Sequence, residues 1–245
     1  MLRKFITLTS CLIAGLSVYA DDHGPSMPTV YGQSYSMIVN NPAALLSAME
    51  NFRNSRPKDS APSNVILLQN IANGENPTTH TINIFYQQAS DLDNRTALNS
   101  RAGALFGMTM RESAQPHSEN LFTMQRMGGN PSTEPTPGAI QMLIGLEVTD
   151  RSAFMSAFDK LWNSEATKAF PGGIFFGTAM GTGNDRITHW ISFVAKDMAT
   201  FTSGMAALQG SADMAKYLKN ANSFRNYTSS SVGRQIQSWT DWSFN

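Results

Sequence analysis

Two histidines occupy equivalent positions in an internally repeated stretch of the sequence. His80 and His189 each follow a threonine, and they lie 109 residues apart. A pair of equivalent histidines could bind a metal ion or exchange protons with a substrate. No HxH or HExxH spacing accompanies either residue, and each follows a predicted turn at the start of a strand. We therefore predict a structural role, in which each imidazole bonds a nearby backbone group, and no metal site.

Two further residues could act on a ligand. Glu147 stands alone in an apolar strand pattern, where a buried carboxylate would need a partner or would have a raised pKa. It is either an acid or base inside a cavity or a solvated side chain at a strand end, and the sequence leaves both open. Trp190 could stack on a ligand, but aromatic side chains more often fill a core, which is the favoured interpretation.

The rest of the chain carries no recognisable catalytic or cofactor motif. Cys11 is the only cysteine, so no disulfide or cysteine metal site is expected in a mature chain that lacks it. Gly177 to Gly183 is glycine-rich, but it has no P-loop lysine and leads into a strand, which indicates a hairpin turn. The sequence therefore predicts no cofactor and leaves enzymatic activity open.

The first twenty residues have the three parts of a secretory signal. Arg3 and Lys4 precede an apolar run from Phe5 to Val18, and small residues allow cleavage after Ala20. A lipid anchor on Cys11 is the less favoured alternative. We therefore expect an exported protein, either periplasmic or secreted.

The charge of the mature chain argues against a nucleic-acid partner. Of the 18 basic residues, Arg3 and Lys4 lie in the signal, which leaves 16 against 18 acidic residues. No basic excess is available to bind phosphates. No later apolar run approaches the ~20 residues that a transmembrane helix needs.

One long repeat organises the chain. Residues 41–87 align without a gap to residues 150–196, with ten identical pairs. A repeat this long indicates two copies of a small domain, because solenoid units run ~20–50 residues. The predicted divisions are a signal peptide, a flexible arm, a first unit, a linker and a second unit, at residues 1–20, 21–33, 34–127, 128–138 and 139–245.

Hydrophobic periodicity gives each unit the order strand–helix–strand–strand–helix–strand. In the first unit, Asn41 is the expected N-cap of one helix, and Asp91 that of a second helix running to about Arg101. Residues 102–119 fit no pattern, and a strand is predicted over 121–127. This order is that of the ferredoxin-like unit, a four-stranded antiparallel sheet with both helices on one face.

In this element order the chain resembles the dimeric α+β barrel superfamily, which includes the antibiotic-biosynthesis monooxygenase-like proteins. The resemblance covers nearly the whole mature chain, with the dimer fused into one polypeptide. It implies an α+β fold whose two sheets pack face to face around a cavity, in a monomer with an internal pseudo-two-fold axis. It carries no catalytic residue to this sequence, because the superfamily has no shared signature that matches here.

Strand alternation and the repeat together assign the faces of the two sheets. His80, Ile82 and Ile84 form the more apolar row, which is predicted to lie under the helices. The opposite rows should face the space between the sheets, and their mixture of polar and aromatic groups is typical of binding cavities. The predicted ligand-binding residues are Asn83, Phe85, Glu147, Trp190 and Ser192.

The two copies have diverged at these positions, so the expected pocket is asymmetric and binds one molecule. The sequence thus favours an exported protein that binds a small, partly apolar molecule between its sheets. A cofactor-independent monooxygenase-like enzyme and an interaction module with a packed barrel remain as alternatives.

Overall fold

The computed structural model of the protein describes residues 27–130, 136–182 and 186–243. The predicted signal peptide, with Cys11 and the cleavage site after Ala20, lies outside the described residues. Residues 131–135 of the predicted linker also lie outside them, whereas Gly128 and Gly129 end a strand. The predicted arm over 21–33 overlaps the first strand, which begins at Val30.

The first unit contains four strands and two α-helices. Its elements are β1 (Val30–Val39), α1 (Pro42–Ser55), β2 (Asn64–Ala72), β3 (His80–Tyr86), α2 (Arg101–Ser113) and β4 (Ala114–Gly129), with a short 3₁₀ helix (Ala89–Asp93) after β3. Asn41 caps α1 as predicted. Its side chain accepts a hydrogen bond from the Ala44 amide at 3.1 Å, which satisfies one of the free amides of the first turn.

The second unit repeats this order with two additional short helices. Its elements are β5 (Ile140–Val148), α3 (Arg151–Trp162), α4 (Glu165–Lys168), β6 (Gly173–Gly181), β7 (His189–Ala195), α5 (Met198–Gln209), α6 (Ala212–Asn220), a 3₁₀ helix (Ala221–Ser223) and β8 (Arg225–Trp239). Asp150 caps α3 as Asn41 caps α1, accepting from the Ala153 amide at 3.0 Å. None of the helices within the described residues is long and apolar enough to cross a membrane.

The eight strands form one closed antiparallel barrel in the order β1-β3-β2-β8-β5-β7-β6-β4. Within each unit the strand order is that of a ferredoxin-like sheet. The units are joined by the β2–β8 and β4–β6 pairs, so both sheets continue into each other without a free edge. The predicted fold class, an α+β protein of two ferredoxin-like units packed as a pseudo-dimeric barrel, is confirmed.

The helices cover the outer face of the barrel. In the first unit Ile82 packs against Leu45 and Met49 of α1. In the second unit Ile191 belongs to the same buried cluster as Phe154 and Phe158 of α3. The predicted faces of these strands are therefore confirmed.

Aromatic side chains from both units meet inside the barrel. The Phe122 ring centroid lies 5.7 Å from that of Phe85 and 5.4 Å from that of Trp190, and both pairs have the edge-to-face geometry that aromatic rings favour. Gly32 permits this packing, because a Cβ atom there would overlap the Phe122 ring. The interior cluster therefore contributes to holding the two units together.

The second helix of the first unit does not lie where the sequence predicted it. The helix expected over 91–101 is wrong, because α2 begins at Arg101 and Ser100 is its N-cap, accepting from the Gly103 amide at 3.1 Å. Gly103 and Gly107 lower the helix propensity of this segment and obscure its pattern. Gly103 is needed because the backbone carbonyls of Ala97 and Leu98 pack directly against it.

The C-terminal residues of the second unit bind back onto the first. The Asp241 carboxylate accepts from Arg53 Nη2 at 2.9 Å, from Arg56 Nη2 at 2.5 Å and from the Ser63 amide at 2.8 Å. The fully buried Asn64 accepts from the Asp241 amide at 2.9 Å and donates to the Trp242 carbonyl at 2.9 Å. We name this set of contacts the C-terminal clasp, and it fixes the end of α1 and the start of β2.

Candidate ligand-binding cavity

A cavity of about 620 Å³ lies in the first unit, between the outer face of its sheet and helices α1 and α2. We name it the first-unit cavity. Its volume falls in the range of small-molecule sites, ~300–1,000 Å³. Its wall is mainly apolar and is formed by side chains of the strands and both helices, among them Met37, Met49, Val65, Ile82, Ile84 and Phe106.

The repeat explains why the first unit is hollow. Met49 and Ile84 line the cavity, and the residues at the equivalent positions of the second unit, Phe158 and Phe193, are both buried. The Phe158 ring lies 4.6 Å from that of Phe176, which takes the place of Leu67. Larger aromatic rings thus occupy the space in the second unit that smaller side chains leave open in the first.

Two more positions follow the same pattern. Arg53 and Ala61 line the cavity, whereas the second unit carries the buried residues Trp162 and Phe170 at the equivalent positions. The wall also differs in polarity, because the first unit has the guanidinium group of Arg53 where the second unit has an indole. The first-unit cavity therefore has a polar wall without a counterpart at these positions of the second unit.

This polar wall is held in place by the C-terminal clasp. Arg53 donates to Ser63 Oγ at 3.0 Å and to the Ser63 carbonyl at 3.2 Å, besides its bond to Asp241. Burial alone would raise the pKa of Asp241, but the bonds from Arg56, the Ser63 amide and Arg53 outweigh it and hold the pKa of this carboxyl below its usual value. Nearby, Ser60 Oγ is buried and has no hydrogen-bond partner within the described residues.

Two tyrosines and an arginine lie at the cavity wall beside the apolar surface. Burial, followed by the charge of Glu119 and a hydrogen bond to it, raises the pKa of the Tyr35 phenol well above its usual value. Burial also raises the pKa of Tyr86. Both phenols therefore stay protonated at neutral pH and act as hydrogen-bond donors. All three residues line the cavity, and the positive charge of Arg95 lowers the pKa of both phenols against the larger effect of burial.

No protein-family profile matches the sequence, and no curated protein matches it. Solved structures do share its architecture. A candidate monooxygenase from Fusobacterium nucleatum superposes with a TM-score of 0.64 at 10% identity, over 90% of this chain and 97% of that one. A candidate monooxygenase from Lactobacillus acidophilus gives a TM-score of 0.58 at 12% identity, over 88% and 98%. A chlorite dismutase variant from Candidatus Nitrospira defluvii gives 0.52 at 11% identity, over 85% and 91%.

The chain has the dimeric α+β barrel fold. These structures share its architecture over most of their length, and the resemblance expected from element order is confirmed at the level of the fold. At 10–12% identity the likeness carries no functional residue across. The function of this α+β barrel is therefore inferred from its own side chains.

Of the five residues predicted to bind a ligand between the sheets, two belong to the interior aromatic cluster. Phe85 and Trp190 are buried there on either side of Phe122. Trp190 Nε1 donates to the Thr123 carbonyl at 3.1 Å, so its one polar atom is already bonded. Trp190 thus has the core role that its residue type favours.

The other three predicted residues have separate surroundings. Asn83 is buried, and Ser192 is buried and accepts from Gln141 Nε2 at 2.9 Å. Glu147 accepts from Asn226 at 3.1 Å and lies 3.9 Å from Arg186, with a quarter of its side chain exposed, so it lies at a partly solvated strand end. A ligand site formed by these five residues stays a prediction, whereas the first-unit cavity lies on the opposite face of the sheet.

The two histidines make the same contact in both units of the α+β barrel. His80 Nδ1 lies 2.9 Å from Thr79 Oγ1, and His189 Nδ1 lies 2.9 Å from Thr188 Oγ1. Each threonine hydroxyl also accepts from a backbone amide of the first strand of its unit, at 2.8 Å. Nδ1 of each ring thus contacts the hydroxyl of the preceding threonine. Burial lowers the pKa of His80. The described residues contain no cluster of metal-binding side chains.

Sequence reasoning missed the first-unit cavity, although the repeat carried its signal. Aligned positions that should have similar volumes carry smaller side chains in the first unit, modestly smaller at Met49 than at Phe158 and smaller by a whole aromatic ring at Ala61 than at Phe170. Protein interiors are close-packed, so smaller side chains at several core positions of one copy have one of two results. Either the helices move closer to the sheet or a cavity remains. Comparing side-chain volumes between the copies, and not only their polarity, would have indicated the site.

Proposed function

We propose that this protein binds a small, mostly apolar molecule in the first-unit cavity. The observation that carries the proposal is a cavity of about 620 Å³ inside one repeat, at positions where the other repeat is filled by aromatic rings. An apolar ligand in the cavity would bury its surface against apolar side chains. Such burial contributes roughly 25 cal/mol of binding free energy per Å² of apolar surface. The partner is still the small molecule that the sequence predicted. Its proposed site, however, lies on the helix side of the sheet and not between the two sheets.

The sharpest test copies the packing of the second unit into the first. The double substitution Met49→Phe with Ile84→Phe introduces the rings of Phe158 and Phe193 at their equivalent positions. We expect the wild-type protein to bind the neutral fluorescent probe N-phenyl-1-naphthylamine, and the double variant to bind it at least tenfold more weakly. The free energy of unfolding should stay unchanged or rise by about 1 kcal/mol, because filling a cavity commonly stabilises a protein.

Two controls separate the cavity from other sites. Met108→Phe makes the same substitution at an exposed position of α2 outside the cavity and should leave probe binding unchanged. Ser192→Val alters the space between the sheets and should also leave it unchanged. If Ser192→Val abolished binding and the double variant did not, the ligand would lie between the sheets and the first-unit cavity would be the wrong site.

A monooxygenase-like enzyme is the second candidate function. It is supported by the fold shared with candidate monooxygenases and by the Tyr35–Glu119 pair beside the cavity, which offers a protonated donor and a carboxylate. Oxygen uptake by the protein loaded with a ligand that binds in the cavity would distinguish the two functions. Uptake that Tyr35→Phe reduces would favour the enzyme, and binding without uptake would favour a binding protein.

We also propose that the chain is exported, with cleavage after Ala20, on the basis of the charged start, the apolar run and the small-residue site that follows it. A monomeric state with internal pseudo-two-fold symmetry accompanies this proposal. The interaction module with a packed barrel stays the remaining alternative, and it would gain support if no apolar probe bound the protein.

A further inference from the structure

The first-unit cavity contains hydrogen-bond donors that no protein group occupies. Tyr86 and Arg95, which carry a hydroxyl and a guanidinium group, both line the cavity. Within the described ranges, neither side chain has a hydrogen bond or an ion pair. Tyr86 is half-buried and Arg95 is exposed, so both can be reached from the solvent side of the cavity.

The other charged groups of the wall are already paired. Arg53 and Arg56 are bound to Asp241, and Tyr35 lies opposite Glu119 in the β1–β4 pair, where the Glu119 charge contributes to the raised pKa of the phenol. The charged side chains that line the cavity are three arginines and one carboxylate; Arg53 and Arg56 share the single carboxylate of Asp241, and Arg95 has no carboxylate partner among the described residues. The wall therefore offers a guanidinium without an ion-pair partner among the described residues, that of Arg95, and a neutral phenol, that of Tyr86.

The repeat restricts the phenol to the first unit. The position equivalent to Tyr86 is Ala195, which is buried and carries no polar group. The phenol is thus found in the unit that has room for a ligand and is missing from the equivalent position of the filled unit. A purely structural hydroxyl would be expected to bond a protein partner, as Tyr217 does with Arg225 at 2.8 Å.

We propose that the first-unit cavity binds an apolar monocarboxylic acid, whose carboxylate is bound by Arg95 and Tyr86 while its hydrocarbon part lies against the apolar wall. A guanidinium and a phenol supply donors to two acceptor oxygens, and bonds to an ionised group are the stronger kind. The inference rests on the proposed function, since it names the chemical class of the ligand in that same cavity.

The test compares a carboxylic acid with its own ester. Dodecanoate and methyl dodecanoate are titrated against the full mature chain loaded with N-phenyl-1-naphthylamine, and displacement of the probe is followed by fluorescence. We expect the acid to displace the probe at least tenfold more effectively than the ester. Arg95→Gln should weaken acid binding about tenfold or more, and Tyr86→Phe about threefold or more, while binding of the ester stays within about twofold.

Arg111→Gln is the matched control, because Arg111 is an exposed arginine of α2 that does not line the cavity. Equal displacement by acid and ester would overturn the carboxylate assignment and leave the proposed function intact. So would an Arg95→Gln variant that weakened both ligands alike, or an Arg111→Gln variant that weakened the acid as much as Arg95→Gln does. Failure of the wild-type protein to bind the probe or either ligand would overturn the proposed function and the inference with it.

Discussion

Removal of the Asp241 carboxylate should destabilise the protein far more than removal of an exposed ion-pair partner. Asp241 accepts three hydrogen bonds, from Arg53, Arg56 and the Ser63 amide, at 2.5–2.9 Å. In the Asp241→Ala variant, the Arg53 side chain, only 9% exposed, would lose its counter-charge while Arg56 remains beside it. A buried donor without its partner costs the desolvation that the partner had offset.

The expected magnitude follows from these contacts. A hydrogen bond to a charged group contributes roughly 1.5–3 kcal/mol, and the sum over three such bonds is an upper limit for the loss of stability. The side chains of Asp241 and Arg56 are both 20% exposed, so water replaces part of what is lost. We therefore expect Asp241→Ala to lower the free energy of unfolding by about 2–4 kcal/mol, measured by urea denaturation at neutral pH.

The pH dependence of this loss has a defined sign. Because the pKa of Asp241 is lower in the folded protein than in the unfolded chain, its contribution to stability is fully present above the unfolded value. It disappears as the pH falls through the folded value. The difference between wild type and Asp241→Ala should therefore be constant from neutral pH to about pH 5 and shrink below about pH 4.

Glu165→Ala provides the control, because Glu165 pairs with Lys168 at 2.9 Å with 90% and 60% of the two side chains exposed. Such a surface pair contributes at most about 0.5–1 kcal/mol. If Asp241→Ala cost no more than Glu165→Ala, the C-terminal clasp would be a surface contact. The second unit would then not fix the cavity wall of the first.

Two further predictions concern the filled unit and the start of the chain. Phe158→Ala should lower the free energy of unfolding by roughly 3–5 kcal/mol, because Phe158 is 3% exposed and packs against the rings of Phe154 and Phe176. A change near zero, measured by chemical denaturation, would mean that this cluster is not part of the core. N-terminal sequencing of the exported protein should begin at Asp21. A chain that retained Met1, or one lipidated at Cys11, would contradict the cleavage site.

The repeat and the strand alternation were sufficient to predict the architecture. The gap-free offset between the copies placed Leu45 opposite Phe154, and both are fully buried under their sheets. The same alternation correctly assigned Trp190 to the barrel interior and Ile191 to the helix side. Such patterns succeed because burial on one face of a strand repeats every second residue.

The candidate cavity could not be predicted from the same patterns. Alternation reports which face a side chain occupies, but not whether the side chains that meet there fill the space between sheet and helices. That depends on the summed volumes of Met49, Ala61, Ile84 and their neighbours after packing. The polar wall depends on Asp241, which lies 188 residues from Arg53 along the chain and has no local sequence signal. The start of α2 was missed because its glycines weaken the helical pattern.

The uneven filling of the two units has a consequence for how the protein moves. Local opening costs least where few apolar contacts are lost. Helices α1 and α2 border the apolar first-unit cavity, whereas α3 packs Phe154 and Phe158 into a cluster of rings on one face and borders a groove toward α6 on the other. The closed strand ladder has no edge from which it can unravel. Amide hydrogens of α1 and α2 should therefore exchange with solvent earlier than those of α3, by a motion that leaves the barrel intact. The same outward motion of this helix pair would give a molecule access to the interior of the first unit.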